Sequence, residues 1–152
     1  MGAYPDKLLK LHTTYTPRFL GLKRGQGLWS DSTGYAADVI VGVLDTGVWP
    51  EHPSFAEHKN QTAVPSKWKG HCDVGKAFNA SNCNKKLIGA RFFYKGFEAN
   101  GGHINETVEY KSPRDSNGHG THTASKAAGN VVLGANVLGY AKGCASGIAP
   151  RA

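Results

Sequence analysis

Val39-Ile40-Val41-Gly42-Val43-Leu44, running straight into Asp45-Thr46-Gly47, is the stretch from which the fold of this 152-residue chain is read. A continuous run of β-branched residues suits a strand buried on both faces, the kind found in parallel sheets. The run breaks off at Asp45. A carboxylate at the end of an apolar strand is costly to desolvate unless something pairs with it. Thr46 and Gly47 can turn the chain there and offer backbone hydrogen bonds. Taken alone, Asp45 is a turn residue at a strand end, which is a common object.

Downstream, Asp115-Ser116-Asn117-Gly118-His119-Gly120-Thr121-His122-Thr123-Ala124-Ser125-Lys126-Ala127-Ala128-Gly129 predicts a helix, with polar capping residues at its start and a glycine at its stop. Strand, crossover and helix together predict an α/β architecture. In open α/β sheets chemistry gathers at the carboxyl ends of strands, where Asp45 stands. A histidine in the first turn of a helix has a fixed position. The positive helix N-terminus disfavours a standing positive charge on it, which leaves a neutral imidazole available as a base. Read alone, His119 is equally a capping histidine. A metal reading through His119, His122 and Asp115 is weaker, because there is no HExxH pattern. No metal and no cofactor are expected.

Residues 50–112 are rich in Gly, Asn and Lys and poorly periodic, and read as a decorated surface insertion. Leu87-Ile88-Gly89-Ala90-Arg91-Phe92-Phe93 is a second candidate strand within them. Three glycosylation sequons, at Asn60, Asn79 and Asn105, lie in polar stretches of the same segment. Of three cysteines, Cys72 and Cys83 sit close together and suit a short disulfide-closed loop, which leaves Cys144 over. Sequons beside a disulfide point to a secreted, extracellular protein. Residues 1–6 carry no apolar signal region and no transmembrane run follows, so no membrane partner is expected. The net charge of +7 is spread over scattered Lys and Arg, with Lys23-Arg24 and Lys85-Lys86 the tightest groups. Without an arginine-rich stripe, no nucleic-acid partner is expected.

Taken together, Asp45-Thr46-Gly47-Val48 after a buried strand and Gly118-His119-Gly120-Thr121-His122-Thr123-Ala124-Ser125 opening a helix resemble the Asp and His motifs of subtilases, in the Asp-then-His order of that family. Gly47-Val48-Trp49-Pro50-Glu51-His52-Pro53-Ser54-Phe55, Pro65-Ser66-Lys67-Trp68-Lys69-Gly70 and Cys83-Asn84-Lys85-Lys86-Leu87-Ile88-Gly89-Ala90-Arg91 are similar to segments of plant subtilases. Leu11-His12-Thr13-Thr14 and Phe19-Leu20-Gly21-Leu22 look like their junction between propeptide and mature enzyme. The resemblance implies a serine endopeptidase of the cell wall or apoplast acting on proteins or peptides. Asp45 would be its orienting carboxylate and His119 its general base, with His122 the motif's second histidine. It implies that residues 1–12 are the tail of an inhibitory propeptide, with Thr13 the first mature residue. Residues 13–152 would be the N-terminal part of a three-layer catalytic domain with a parallel sheet. It also implies a Cys72–Cys83 disulfide.

The family's nucleophile belongs to a GTSMA-like segment that this sequence does not contain. Its nearest imitation, Gly143-Cys144-Ala145-Ser146-Gly147, lacks that pattern, and Ser146 is expected to be structural. The expectation is therefore a catalytic domain truncated before completion, without a nucleophilic serine and inactive by itself. The alternative is a non-catalytic binding or decoy module. Two positions depart from the pattern: Lys126 stands where relatives carry a small or neutral residue, and Cys144 where they carry Thr or Val.

Overall fold

The computed structural model describes residues 16–58 and 61–152. The proposed propeptide tail, Thr13 and the sequon residue Asn60 lie outside the described residues. Helix α1 (Thr16–Phe19) is followed by 3-10 turns at Gly27–Trp29 and Asp31–Thr33. After the apolar run come 3-10 turns at Pro53–Phe55 and Ala80–Asn82, the short helix α2 (Lys95–Ala99) and helix α3 (His119–Ala128). Strands β1 (Val132–Val137) and β2 (Tyr140–Ala145) close the order.

Helix α3 occupies the predicted place, but its ends are built differently from the expectation. Its N-cap is Gly118 in a left-handed conformation, with no capping side chain of its own. Asp115, three residues earlier, accepts the Gly118 N–H at 2.8 Å and the Thr121 N–H at 2.8 Å, so a displaced carboxylate satisfies the first turn. The glycine at the stop, Gly129, is extended rather than left-handed. There the chain leaves the helix through Asn130, whose N–H and side-chain amide donate to the carbonyls of Ser54 and Ala56.

The apolar run departs from the expectation. Residues 39–44 carry no regular secondary structure and belong to no ladder among the described residues, and the run is not buried: Leu44 is 98% exposed and Val39 49%. The reason is non-local. A parallel-sheet strand is covered only when strands lie at both sides and helices on both faces, and no described segment pairs with this one. Residues 40–44 instead line an open groove of about 810 Å³ shared with Leu87–Tyr94. The second candidate strand is reduced to one parallel bridge, Cys72 to Ala90. The parallel sheet expected from the β-branched run is thus not formed by the described residues.

The ladder that does form is the antiparallel hairpin β1–β2, in a segment for which the sequence predicted no strand. Its two-residue turn, Leu138-Gly139, has positive φ at both positions (50° and 85°), the primed geometry that matches strand twist. Asn136 braces the turn by accepting the Gly139 N–H at 2.9 Å.

Among the described residues a core cluster is formed by Val48, Phe55 and Phe78, with Cys72, Cys83, Leu87, Ala90 and Ala124 packed around them. Two of the three come from the segment read as a surface insertion. This small core joins that segment to the Asp45 turn and to α3. A second tie is ionic. Arg114 is 7% exposed, forks onto both carboxylate oxygens of Glu51 (2.9 and 2.5 Å), stacks 4.6 Å over Trp49 and donates to the Ala77 carbonyl.

Candidate active site

Two backbone approaches bring Asp45 and His119 together. Val48 and Arg114 form a parallel bridge, with Val48 N–H donating to Pro113 at 3.0 Å and Asp115 N–H to Val48 at 3.1 Å. The turn after Asp45 then lies against the first turn of α3. Only glycine fits at two positions of this contact. A Cβ on Gly120 would collide with the backbone of Gly47, and one on Gly47 (φ 126°) would stand 2.6 Å from the Pro113 carbonyl.

Polar side chains lock the contact. Asp115 is 3% exposed. Its Oδ1 accepts from the Thr46 hydroxyl (2.9 Å), Asn117 N–H (3.0 Å) and Gly118 N–H (2.8 Å). Its Oδ2 accepts from the Thr121 N–H (2.8 Å) and hydroxyl (2.5 Å). Thr46 Oγ1 in turn accepts the Gly120 N–H at 2.8 Å, and Thr121 Oγ1 accepts the Trp49 N–H at 3.0 Å. Burial pushes the Asp115 carboxyl up, but the Thr121, Gly118 and Thr46 donors outweigh it and bring its pKa down to about 2.

Held this way, Asp45 Oδ1 meets His119 Nδ1 at 2.7 Å and also accepts the Thr46 N–H at 2.8 Å. Its Oδ2 accepts the Thr123 hydroxyl at 2.9 Å. The Asp45 side chain is 15% exposed and the His119 side chain 54%. Desolvation pushes the Asp45 carboxyl up. Hydrogen bonds from His119, Thr46 and Thr123 overcome this and hold it below the ordinary carboxylate value. A carboxylate can only accept, so Nδ1 carries a proton, and in the neutral imidazole the lone pair is then on Nε2. No described residue hydrogen-bonds Nε2. The arrangement can therefore withdraw a proton from a hydroxyl, thiol or water placed against Nε2, while Asp45 steadies the imidazolium that forms.

The other sequence-singled residues lie apart from this pair. The His122 ring has no hydrogen-bond partner among the described residues, and no group of three metal-binding side chains occurs among them. The Ser146 hydroxyl donates to the Gly147 carbonyl, and Gly147 N–H donates to Gly129. That places Ser146 beside the C-terminal end of α3, a helix about 15 Å long whose first residue is His119. Cys72 and Cys83 are joined as a disulfide, and Cys144 is free and exposed. Sequence reading gave Thr46 only a backbone hydrogen bond at the turn and missed the hydroxyl contacts that Thr46, Thr121 and Thr123 make around the pair. It took Asp115 as a capping residue and as a member of the weaker metal reading. The signal available was the hydroxyl at each of these threonine positions, but its target lies about 70 residues away in the chain (separations of 69, 72 and 78).

The subtilase family profile, Peptidase S8, matches residues 36–152. The chain is 55% identical over its full length to the subtilisin-like protease SBT1.4 of Arabidopsis thaliana, covering 20% of that protein. It is 55% identical to SBT1.7 of the same plant and 50% identical to SBT3 of Solanum lycopersicum, with its whole length matched and 20% and 19% of those proteins covered. The chain thus spans about a fifth of the length of the curated relatives it matches. On the family profile and these identities, the chain belongs to the subtilases, a family of α/β fold.

Proposed function

We propose that this chain is the part of a serine-type endopeptidase that supplies the orienting carboxylate, Asp45, and the general base, His119. The observation that carries the reading is the 2.7 Å contact between Asp45 Oδ1 and His119 Nδ1, with no described residue hydrogen-bonded to Nε2. A serine supplied by a further segment of the protein attacks the scissile carbonyl as Nε2 takes its proton. The proton then returns to the leaving amine, while Asp45 fixes the tautomer and stabilises the imidazolium. Proteins or peptides are the substrates. The chain alone does not hydrolyse them, since loss of the serine alone costs roughly 10⁶ in turnover in such triads.

The same reading assigns residues 1–12 to the inhibitory propeptide, residues 13–152 to the start of the catalytic domain and residues 50–112 to its insertion. In the complete domain, residues 39–44 take their place in a parallel sheet within a three-layer fold. Burying side chains such as Val39, Val41 and Leu44 is worth about 1.5–3 kcal/mol each. The protein is secreted and glycosylated at Asn60, Asn79 and Asn105. In support, Asn79 and Asn105 each accept both the N–H and the hydroxyl of their sequon partners, Ser81 and Thr107, and lie at the surface.

The test joins this chain to the remaining length of SBT1.4 and assays a fluorogenic peptide. The account expects hydrolysis by the joined protein and its loss in His119→Ala. A joined, folded protein without activity would overturn the reading in favour of a binding module. Labelling of this chain alone by a fluorophosphonate would overturn the claim that it lacks a nucleophile.

A further inference from the structure

The carboxylate of Asp45 is held unevenly. Its Oδ1 has two donors, Thr46 N–H and His119 Nδ1–H, whereas Oδ2 has one among the described residues, the Thr123 hydroxyl at 2.9 Å. Rotation about the Cβ–Cγ bond of an aspartate is soft and roughly two-fold. With Oδ1 alone engaged, the carboxylate plane can swing about that oxygen and move the acceptor off the Nδ1–H line. Thr123 follows His119 by four residues on α3, so both side chains project from one face of the helix. They reach the two oxygens of the same carboxylate. The hydroxyl also lies 3.0 Å from the Gly120 carbonyl, but it has one proton, and the charged acceptor binds that proton more strongly than a neutral carbonyl. Both contacts select the same side-chain rotamer, in a β-branched residue already restricted in a helix.

We propose that Thr123 is a positioning residue of the peptidase reaction: its hydroxyl pins the second oxygen of Asp45 and so keeps the first aligned with His119. This rests on the peptidase reading above. Thr123 touches no substrate and acts through Asp45. The residue type is the point, because an isosteric valine would pack equally well and leave Oδ2 without that donor.

The test uses Thr123→Val and Thr123→Ser in the full-length joined protein. Losing one hydrogen bond to a charged group is expected to lower kcat about tenfold in Thr123→Val with KM unchanged, while Thr123→Ser keeps kcat within about twofold of the parent. Thr123→Ala removes the hydroxyl without a second methyl, and serves if valine disturbs folding. A reading that needs no turnover is the downfield proton resonance of the His119 Nδ1–H···Asp45 bond. It is expected to stay sharp in Thr123→Ser and to broaden or vanish in Thr123→Val. Unchanged kcat and an unchanged resonance in both Thr123→Val and Thr123→Ala would overturn the proposal. So would a loss in Thr123→Ser as large as in Thr123→Val. An inactive parent protein would sink the peptidase reading, and the resonance would still decide the role of Thr123.

Discussion

Replacing Asp115 by Asn tests whether one buried carboxylate fastens the Asp45 turn to helix α3. The substitution keeps size and shape. With its amide oxygen retained at Oδ1, Asn can still accept from Thr46, Asn117 and Gly118. Its NH2 group then faces the Thr121 N–H, donor against donor, where an oxygen now accepts at 2.8 Å. Leaving that N–H without a partner costs about 1–3 kcal/mol, and the three retained bonds lose their charged acceptor. Linkage gives an independent scale. A carboxyl lowered from 3.8 to about 2 on folding contributes about 2 kcal/mol at neutral pH. The expected destabilisation of Asp115→Asn is therefore about 3 kcal/mol, read from urea unfolding of the disulfide-intact protein by tryptophan fluorescence. The pH dependence adds a second signature. A depressed folded pKa stabilises above the unfolded value, so this contribution is full above pH 3.8 and is lost as pH falls toward about 2. Asp115→Asn should lack that part of the acid loss. A variant within about 0.5 kcal/mol of the parent, with the same acid profile, would refute the reasoning, since surface-type substitutions fall in that range.

Arg114→Lys keeps the charge but loses the fork onto Glu51 and the stack on Trp49, and should lower stability by about 1–3 kcal/mol. An unchanged urea midpoint would contradict the role of Arg114 as an ionic tie to Glu51 and Trp49. Reducing the Cys72–Cys83 bond, whose cysteines are 11 residues apart, should cost about 3 kcal/mol, measured as the shift in urea midpoint with and without reductant. Lys86 is 8% exposed and donates to the Pro150 and Ala152 carbonyls, and burial brings its pKa down to about 8. Between pH 8 and 10.5 the unfolded chain then holds a proton that the folded chain does not, so stability should rise with pH across that window. Lys86→Met should abolish the rise, and an identical pH profile in the variant would refute it.

Local sequence made the Asp45–His119 geometry legible because both residues sit at element boundaries that a short pattern specifies. Asp45 follows a β-branched run, and His119 opens a helix whose start and stop are both marked. Burial was not legible, because it depends on neighbours. The hydrophobicity of residues 39–44 predicts a place inside a sheet but does not say which segment would cover it. The hairpin was missed because Leu138-Gly139 is not an Asn-Gly or Asp-Gly turn, and because β1 and β2 are largely exposed and lack a regular alternation. The Arg114–Glu51 fork and the Thr46–Asp115 bond join residues 63 and 69 apart, a spacing on which no helical or strand period bears. Asp115 was read as a helix-capping residue and in a weaker metal reading with His119 and His122, and its reach across to Thr46 emerged only from the fold.

The central claim is that Asp45 and His119 act as one unit to activate a serine supplied from outside these residues. Its most direct measurement is the rate of fluorophosphonate labelling of the full-length joined protein, compared with His119→Ala and Asp45→Asn. The account predicts labelling at a serine outside residues 16–152, falling by about 10³-fold or more in His119→Ala and by up to about 10⁴-fold in Asp45→Asn. Labelling at the parent rate in either variant, or a labelled residue within 16–152, would contradict it.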